Sequence, residues 1–358
     1  MMNVKFWNVI GLMSGTSLDG VDIVYTCISI NNGIYDFKLI ETATIPYSKK
    51  WEQQLRNAFT ASKNDLDELN ISYGNYLGEL VNEFTEKHGI VEVDFLASHG
   101  HTIFHKPNEG YTLQIGDGQT ISNKTGLKVI CDFRTQDVDL GGQGAPLVPI
   151  GDQLLFSNYE YCLNLGGFAN ISFKKNNERM AFDICPANIV LNHYANLLGF
   201  EYDENGKIAS EGKVDKKLLN QLNAISFYKA PLPKSLGFEF VKTTIFPIID
   251  SFNLPVETIL RTFVSHIVIQ IAACLNNKST SKILITGGGA FNVFLIDELK
   301  KQTINTIVIP ENEIINFKEA LIFALLGVLR AENQVNCLKS VTGAIKNHSS
   351  GKIFHKSA

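Results

Sequence analysis

Two short Gly-rich turns occupy the same setting in the two halves of this chain, and that setting limits the possible folds more than any other feature. MSGTSLDGVD holds Gly15 and Gly20, and NLGGFANIS holds Gly166 and Gly167. Each turn follows an apolar, strand-like run and leads into another. The surroundings repeat too. In the first half, residues 6–13, 21–30 and 37–46 read as strands, 49–61 and 66–88 as helices, and 94–97 and 127–133 as strands. SHGHTIFHKP reads as a loop from its Gly and Pro content. In the second half, residues 159–165, 169–174 and 180–184 read as strands. Pro186 suits the first position of a helix over 187–198. A long helix over 257–275 places Leu260, Phe263, Val264, Ile267, Val268, Ile271 and Leu275 on one stripe. A strand over 282–286 and helices over 293–301 and 317–331 follow, and the tail from Ser349 is expected to fray. The order strand, Gly-rich turn, strand, strand, helix, strand, helix thus occurs twice, with no sequence identity between the halves. This is an α/β plan with two similar parts.

A chain of 358 residues is too long for one ordinary core. GGQGAPLVP is its strongest punctuation, so the expected domains are 1–153 and 154–331, with the tail 332–358 packing back on the first. The formal net charge of -4 argues against a general nucleic-acid partner. It does not argue against a nucleotide, whose phosphates can be held by backbone N–H groups and a metal ion. The six cysteines form no C-x-x-C pair and read as reduced, buried thiols. No signal peptide and no uninterrupted membrane-length apolar run stand out, so the chain is expected in the cytoplasm with no membrane partner. His99, His101 and His105 match no zinc spacing.

Four strings can carry chemistry. In the first, Gly15, Thr16, Ser17, Leu18, Asp19, Gly20, Val21 and Asp22 offer flexible backbone, hydroxyls and carboxylates. Successive N–H groups there can cradle a phosphate, and Asp19 or Asp22 can reach a magnesium ion. The plain alternative is a hairpin turn set by Asp19-Gly20. In the second, Asn164, Gly166 and Gly167 parallel the first. In the third, TGGGAFN, Gly287, Gly288, Gly289 and Asn292 lie between a buried strand and a helix, where they either face a nucleotide or permit a close crossing. In the fourth, AFDICPAN, Asp183 lies where a strand meets a helix, as a general base or as an N-cap. The neighbouring Cys185 and the helical His266 read as packing residues. Arg134 either takes a carboxylate with its planar fork or pairs with Asp132 or Asp137.

Together these strings resemble a family. MSGTSLDGVD, SHGHTIFHKP, LQIGDG, CDFRTQDVDLGGQGAPLVP, NLGGFANIS, YDENGKIASEG, LPKSLGFEF, TGGGAFN, FKEALIFALLG and SVTGA occur in the order seen in anhydro-N-acetylmuramic acid kinases, from about Gly11 to Ala344. The resemblance implies the fold of actin and many sugar kinases: two RNase H-like domains with a central nucleotide cleft. It implies ATP and Mg2+, a small-molecule sugar substrate and a homodimer. It also implies the reaction, which opens the 1,6-anhydro bridge of anhydro-N-acetylmuramic acid and phosphorylates O6, within peptidoglycan recycling. Asp183 falls at the family's base, Gly15 to Asp22 on its ATP string, and Asp132, Arg134 and Glu319 among the expected sugar contacts. The chain departs from the pattern at Ile184, Cys185 and Ala187, where D-T-G-P-G-N is usual. It departs at His101 in H-G-Q-T, and at Leu236 and Phe238 in P-P-K-S-T-G-R-E. The alternatives are a kinase of this fold for another sugar and a non-catalytic nucleotide-binding protein. Retention of Asp183 speaks against the second.

Overall fold

A computed structural model describes residues 4–275 and 280–357. It divides into two units, Met1–Leu155 with Phe317–Ala358, and Phe156–Asn316.

The first unit is built on a mixed sheet. Strands β1 (Lys5–Ser14), β2 (Gly20–Asn31) and β3 (Ile34–Pro46) form an antiparallel meander. Strand β4 (Phe95–Lys106) runs parallel to β1, and β5 (Tyr111–Ile115) folds back on β4 as a hairpin. Strand β6 (Val129–Cys131) lies parallel to β4. In the second unit, β7 (Tyr161–Leu165), β8 (Phe168–Lys175) and β9 (Glu178–Pro186) form the meander. Strands β10 (Lys282–Thr286) and β11 (Thr306–Val308) follow in parallel. Both sheets therefore share one order and one pattern of strand sense: three antiparallel strands and two parallel ones spreading from the first strand. This is the RNase H-like topology of actin-like folds, present twice. The second hairpin is closed in both units by two residues with positive φ, Asn32-Gly33 and Asn176-Asn177. Such turns match the right-handed twist of the flanking strands.

Each sheet is covered by helices whose apolar stripes face it. In the first unit Tyr73, Leu77, Val81 and Phe84 of the helix Lys63–His88 pack with Ile10, Leu12, Ile23 and Leu96. Ile322, Phe323, Leu325 and Leu326 pack with Val9, Ile28, Phe95 and Ile130. In the second, Leu260, Phe263, Val264, Ile267 and Ile271 of the helix Val256–Cys274 pack with Leu163, Ile171, Phe182, Ile283 and Ile285. That helix is long and apolar enough to cross a membrane, but more than half of it is buried within the fold.

Several expectations are corrected. Residues 317–331, expected with the second unit, belong to the first. Their helix, Asn312–Ala331, crosses β1 so closely that a Cβ on Gly11 would lie 2.3 Å from Ala320 O. SHGHTIFHKP is largely the outer half of β4; Gly100, at φ 72°, lets the strand adjust without ending it. Pro186 closes β9 and does not start a helix, and the helix begins at Asn188. The carbonyls of Gly166 and Gly167 take the N–H groups of Ala187, Asn188 and Ile189. The tail is ordered: β12 (Lys352–Phe354) pairs antiparallel with β6.

Candidate functional site

In the first unit, the chain from Gly15 to Asp19 links β1 to β2, with Thr16, Ser17 and Asp19 exposed. A Cβ added to Gly15 would meet only Ser17 Oγ, at 3.5 Å. The fold itself does not demand glycine there, which leaves open backbone on the surface of the turn. Leu18 takes a positive φ of 64°. Val21 is fully buried in the sheet, so only its backbone faces outward chemistry. Asp22 accepts a hydrogen bond from Thr44 Oγ1 at 2.6 Å. Burial pushes its carboxyl above the ordinary value, Thr44 opposes this, and the charge of Asp19 adds to it. Beneath the turn lies a buried polar network. Ser14 Oγ bonds Tyr47 OH at 2.6 Å and His101 Nδ1 at 2.8 Å, and Tyr47 bonds Tyr73.

The same unit places Arg134 beside His99. Arg134 Nε donates to His99 Nε2 at 3.0 Å and Nη1 donates to Gly144 O at 2.6 Å. Nη2 has no hydrogen-bond partner among the described residues. Neither suggested carboxylate pairs with this guanidinium. Asp132, itself at φ 58°, is held by Lys352 Nζ at 2.7 Å and by the Thr135 N–H. Asp137 accepts from Thr342 Oγ1 and from the Gly144 N–H, each at 2.7 Å. Glu319 is reached by solvent, yet the surrounding protein raises its carboxyl, with Arg134 and Lys318 opposing and Asp22 reinforcing. The structure therefore groups Arg134, Glu319 and Asp22 electrostatically and turns Asp132 elsewhere.

His99, His101 and His105 do not converge on one another as a ligand set among the described residues. They bond Arg134, Ser14 and Thr112 respectively, and burial lowers the pKa of all three.

In the second unit, Asp183 is the last residue of β9 in regular register with β8 before a bulge. Asn170 pairs with Asp183 and Ala169 with Cys185, so Ile184 is the extra residue. Phe182 and Ile184, its neighbours on either side, both enter the core, so strand alternation points Asp183 the other way, and the bulge brings Cys185 into the core beside Ile184. Its Oδ2 accepts from the Leu236 N–H at 2.8 Å, and Oδ1 accepts no hydrogen bond among the described residues. Burial raises its pKa and the Leu236 bond partly offsets this. Asp183 is thus no helix cap. Cys185 is a core thiol raised by burial. Lys234 Nζ bonds the carbonyls of Phe227 and Tyr228 at 3.1 and 3.2 Å, which secures the segment that holds Asp183.

The glycines of the two Gly-rich turns of this unit differ in kind. A Cβ on Gly166, Gly167 or Gly288 would meet nothing nearer than 3.3 Å. Gly287, at φ 81°, is demanded by the fold, since a Cβ would sit 2.6 Å from Asn164 Oδ1. Asn292 caps the helix Val293–Gln302 through the Leu295 N–H at 3.0 Å. Gly288, Gly289 and Asn292 line a cavity of about 350 Å³ with Asn188, Leu191, Asn192, Tyr202, Asp203, Glu204, Asn205 and Phe291. Sequence reasoning did not single out Tyr202, Glu204 or Phe291 as site residues. The string YDENGKIASEG was the available signal for Tyr202 and Glu204, and TGGGAFN for Phe291; Asp203 accepts from the Ile208 and Ala209 N–H groups and fixes the first of these strings internally.

A family model described as anhydro-N-acetylmuramic acid kinase matches residues 7–356. The chain is 34% identical over 388 residues to an anhydro-N-acetylmuramic acid kinase of Haemophilus influenzae, covering 99% of this chain and 100% of that one. It is 33% identical to that of Clostridioides difficile, covering 97% and 98%. It is 39% identical to that of Shewanella oneidensis, covering 83% and 84%.

Proposed function

The chain belongs to the anhydro-N-acetylmuramic acid kinase family, and we propose that its own residues divide that family's reaction as follows. The enzyme opens the 1,6-anhydro bond of anhydro-N-acetylmuramic acid and transfers the γ-phosphoryl group of ATP to O6, giving N-acetylmuramic acid 6-phosphate and ADP. Asp183 Oδ1 takes a proton from water as that water attacks C1. The bridging oxygen leaves C1 as O6 and receives the phosphoryl group. The observation that carries this reading is the carboxylate of Asp183, turned away from the core by strand alternation, held at one oxygen by Leu236 and free at the other among the described residues. Its raised pKa suits a base, because basicity grows as the pKa approaches the working pH.

The open backbone at Gly15, Gly166, Gly167 and Gly288 leaves room for phosphates, which need positioning and charge neutralisation. The cavity bordered by Gly288, Gly289 and Asn292 has the size of a small-ligand site and receives the nucleoside. Asp19 and Asp22 form a fitting donor set for magnesium, two carboxylates of one turn whose charges oppose each other. When bound, the ion offsets phosphate charge. Arg134, with Nη2 unused, receives the lactyl carboxylate of the sugar, and Glu319 contacts its polar groups. The protein works in the cytoplasm, in keeping with six cysteines free of disulfides, and as a homodimer, which light scattering tests directly.

The deciding experiment follows ADP release with and without the anhydro sugar, then repeats the reaction in heavy-oxygen water. Solvent oxygen at C1 of the product is expected. A phosphorylated product without that label means that an ordinary hydroxyl, not the anhydro bond, is the target.

A further inference from the structure

We propose that Asp137, Cys337 and His348 form a structural zinc site in the first unit. The three ligand atoms lie within 4.8 Å of one another. The residues are 0%, 2% and 6% exposed. The main chain fixes two of them in register, since Cys337 and His348 exchange both bonds of an isolated antiparallel bridge at 3.1 and 3.2 Å.

The imidazole supplies the independent sign of a ligand. His348 Nδ1 faces Lys346 O at 3.2 Å, so Nδ1 carries the hydrogen. Nε2 is then buried with no hydrogen-bond partner among the described residues, 3.5 Å from Asp137 Oδ1. A lone pair facing a carboxylate is repulsive. A protonated ring would close to about 2.7–2.9 Å, the usual length of a charge-assisted bond. The observed separation instead approximates the edge of a tetrahedron drawn with metal–N and metal–O bonds of about 2.0–2.2 Å, which is about 3.4 Å. The outer contacts are those expected around a metal: a ligand histidine bonded to a carbonyl, and a ligand carboxylate bonded by Thr342 Oγ1 and the Gly144 N–H. The thiol of Cys337 has only a weak contact, 4.0 Å to Phe133 O. One sulfur, one nitrogen and one oxygen suit zinc, with water as the fourth ligand and the thiol proton released on binding.

Such an ion would tie the end of the chain to the GGQGAP segment. Asp137 O accepts from the Gly142 N–H at 2.8 Å, and Gly144 O accepts from Arg134. The site is separate from the reacting groups, so metal content tests it without any turnover assay. Tag-free wild-type protein purified without chelators is expected to hold about one zinc per chain by mass spectrometry. Replacement by Co2+ is expected to give tetrahedral visible bands and a thiolate-to-cobalt band in the near ultraviolet. Cys337→Ser is expected to lose the latter band, and His348→Gln to lower the metal content. The proposal is overturned if folded wild-type protein retains no zinc and shows no thiolate band with Co2+. It is equally overturned if the band persists in Cys337→Ser. If a variant fails to fold, the wild-type titration still decides.

Discussion

Arg134 Nε donates to His99 Nε2 at 3.0 Å, and this bond settles the state of the histidine. A guanidinium cannot accept, so His99 Nε2 carries the lone pair and the hydrogen resides on Nδ1, facing Gly100 O at 2.9 Å. Burial, then the charge of Arg134, pushes the His99 pKa well below its ordinary value. A neutral imidazole thereby steers the fork of Arg134 while leaving its positive charge uncancelled, which is what an anion-receiving arginine requires.

Arg134→Lys removes the Nε bond to His99 and replaces a planar fork with a point charge. A charge-assisted hydrogen bond is worth about 1.5–3 kcal/mol, so KM for the sugar should rise about tenfold to a hundredfold. KM for ATP should change little. Measuring both proteins with the natural sugar and with an analogue lacking the lactyl group separates the two roles. Absence of coupling between residue and carboxylate would show that Arg134 only holds the Gly144 segment.

Asp183→Asn keeps an oxygen for the Leu236 N–H and removes the base. ATP affinity should be unchanged, and turnover should fall by about 10²–10⁴-fold. Only the ionised carboxylate accepts a proton, so wild-type kcat/KM should decline as pH falls through the raised pKa of Asp183. A variant with near-normal turnover would move the role of base to another carboxylate.

The doubled α/β plan was legible because it rests on local pattern: apolar runs, Gly-rich turns and one strong helical stripe. Features decided by distant partners were not. Ile353 and Phe354 favour a strand, but three residues are too few to make a pattern, and they are a strand only because β6 offers an edge. Pro186 fits a strand end and a helix start equally well by local rules, and the carbonyls of Gly166 and Gly167 decide between them. The bulge at Ile184 cannot be read from β9 alone, because it exists only relative to β8. His99 and Arg134 likewise meet through the fold, and so do Lys352 and Asp132.

The glycines divide into two classes with opposite phenotypes. Gly15→Val should fold normally, because the nearest atom to a new Cβ is Ser17 Oγ at 3.5 Å, and should weaken ATP binding in a calorimetric titration. Gly287→Ala should instead lower stability by about 1–3 kcal/mol, since its Cβ would press on Asn164 and the Leu165 backbone at a positive φ. Unaltered ATP affinity in folded Gly15→Val would remove that turn from the phosphate site.

The buried His266 sets a pH dependence of stability with a definite sign. Nδ1 lies 2.7 Å from Asn223 Oδ1 and Nε2 lies 2.9 Å from Tyr228 OH. Burial lowers its pKa from 6.5 to about 3. Between those values the unfolded chain binds a proton that the folded chain does not, so stability rises with pH across this window and is lost as pH falls below the unfolded value. From pH 7 to pH 5, one such histidine should cost about 2 kcal/mol. His101, lowered to about 4 by burial, adds in the same direction. Raised carboxyls such as Asp183 and Glu319 act oppositely, because their protonated forms favour the folded state. The comparison must therefore be between proteins, not between pH values alone. His266→Gln should be less stable than wild type at pH 7, because it empties part of a packed site. Its stability should then fall less steeply, so that the gap narrows by about 2 kcal/mol by pH 5. Urea unfolding of both proteins at pH 7, 6 and 5 measures this, and parallel curves would show that folding leaves the His266 pKa unshifted.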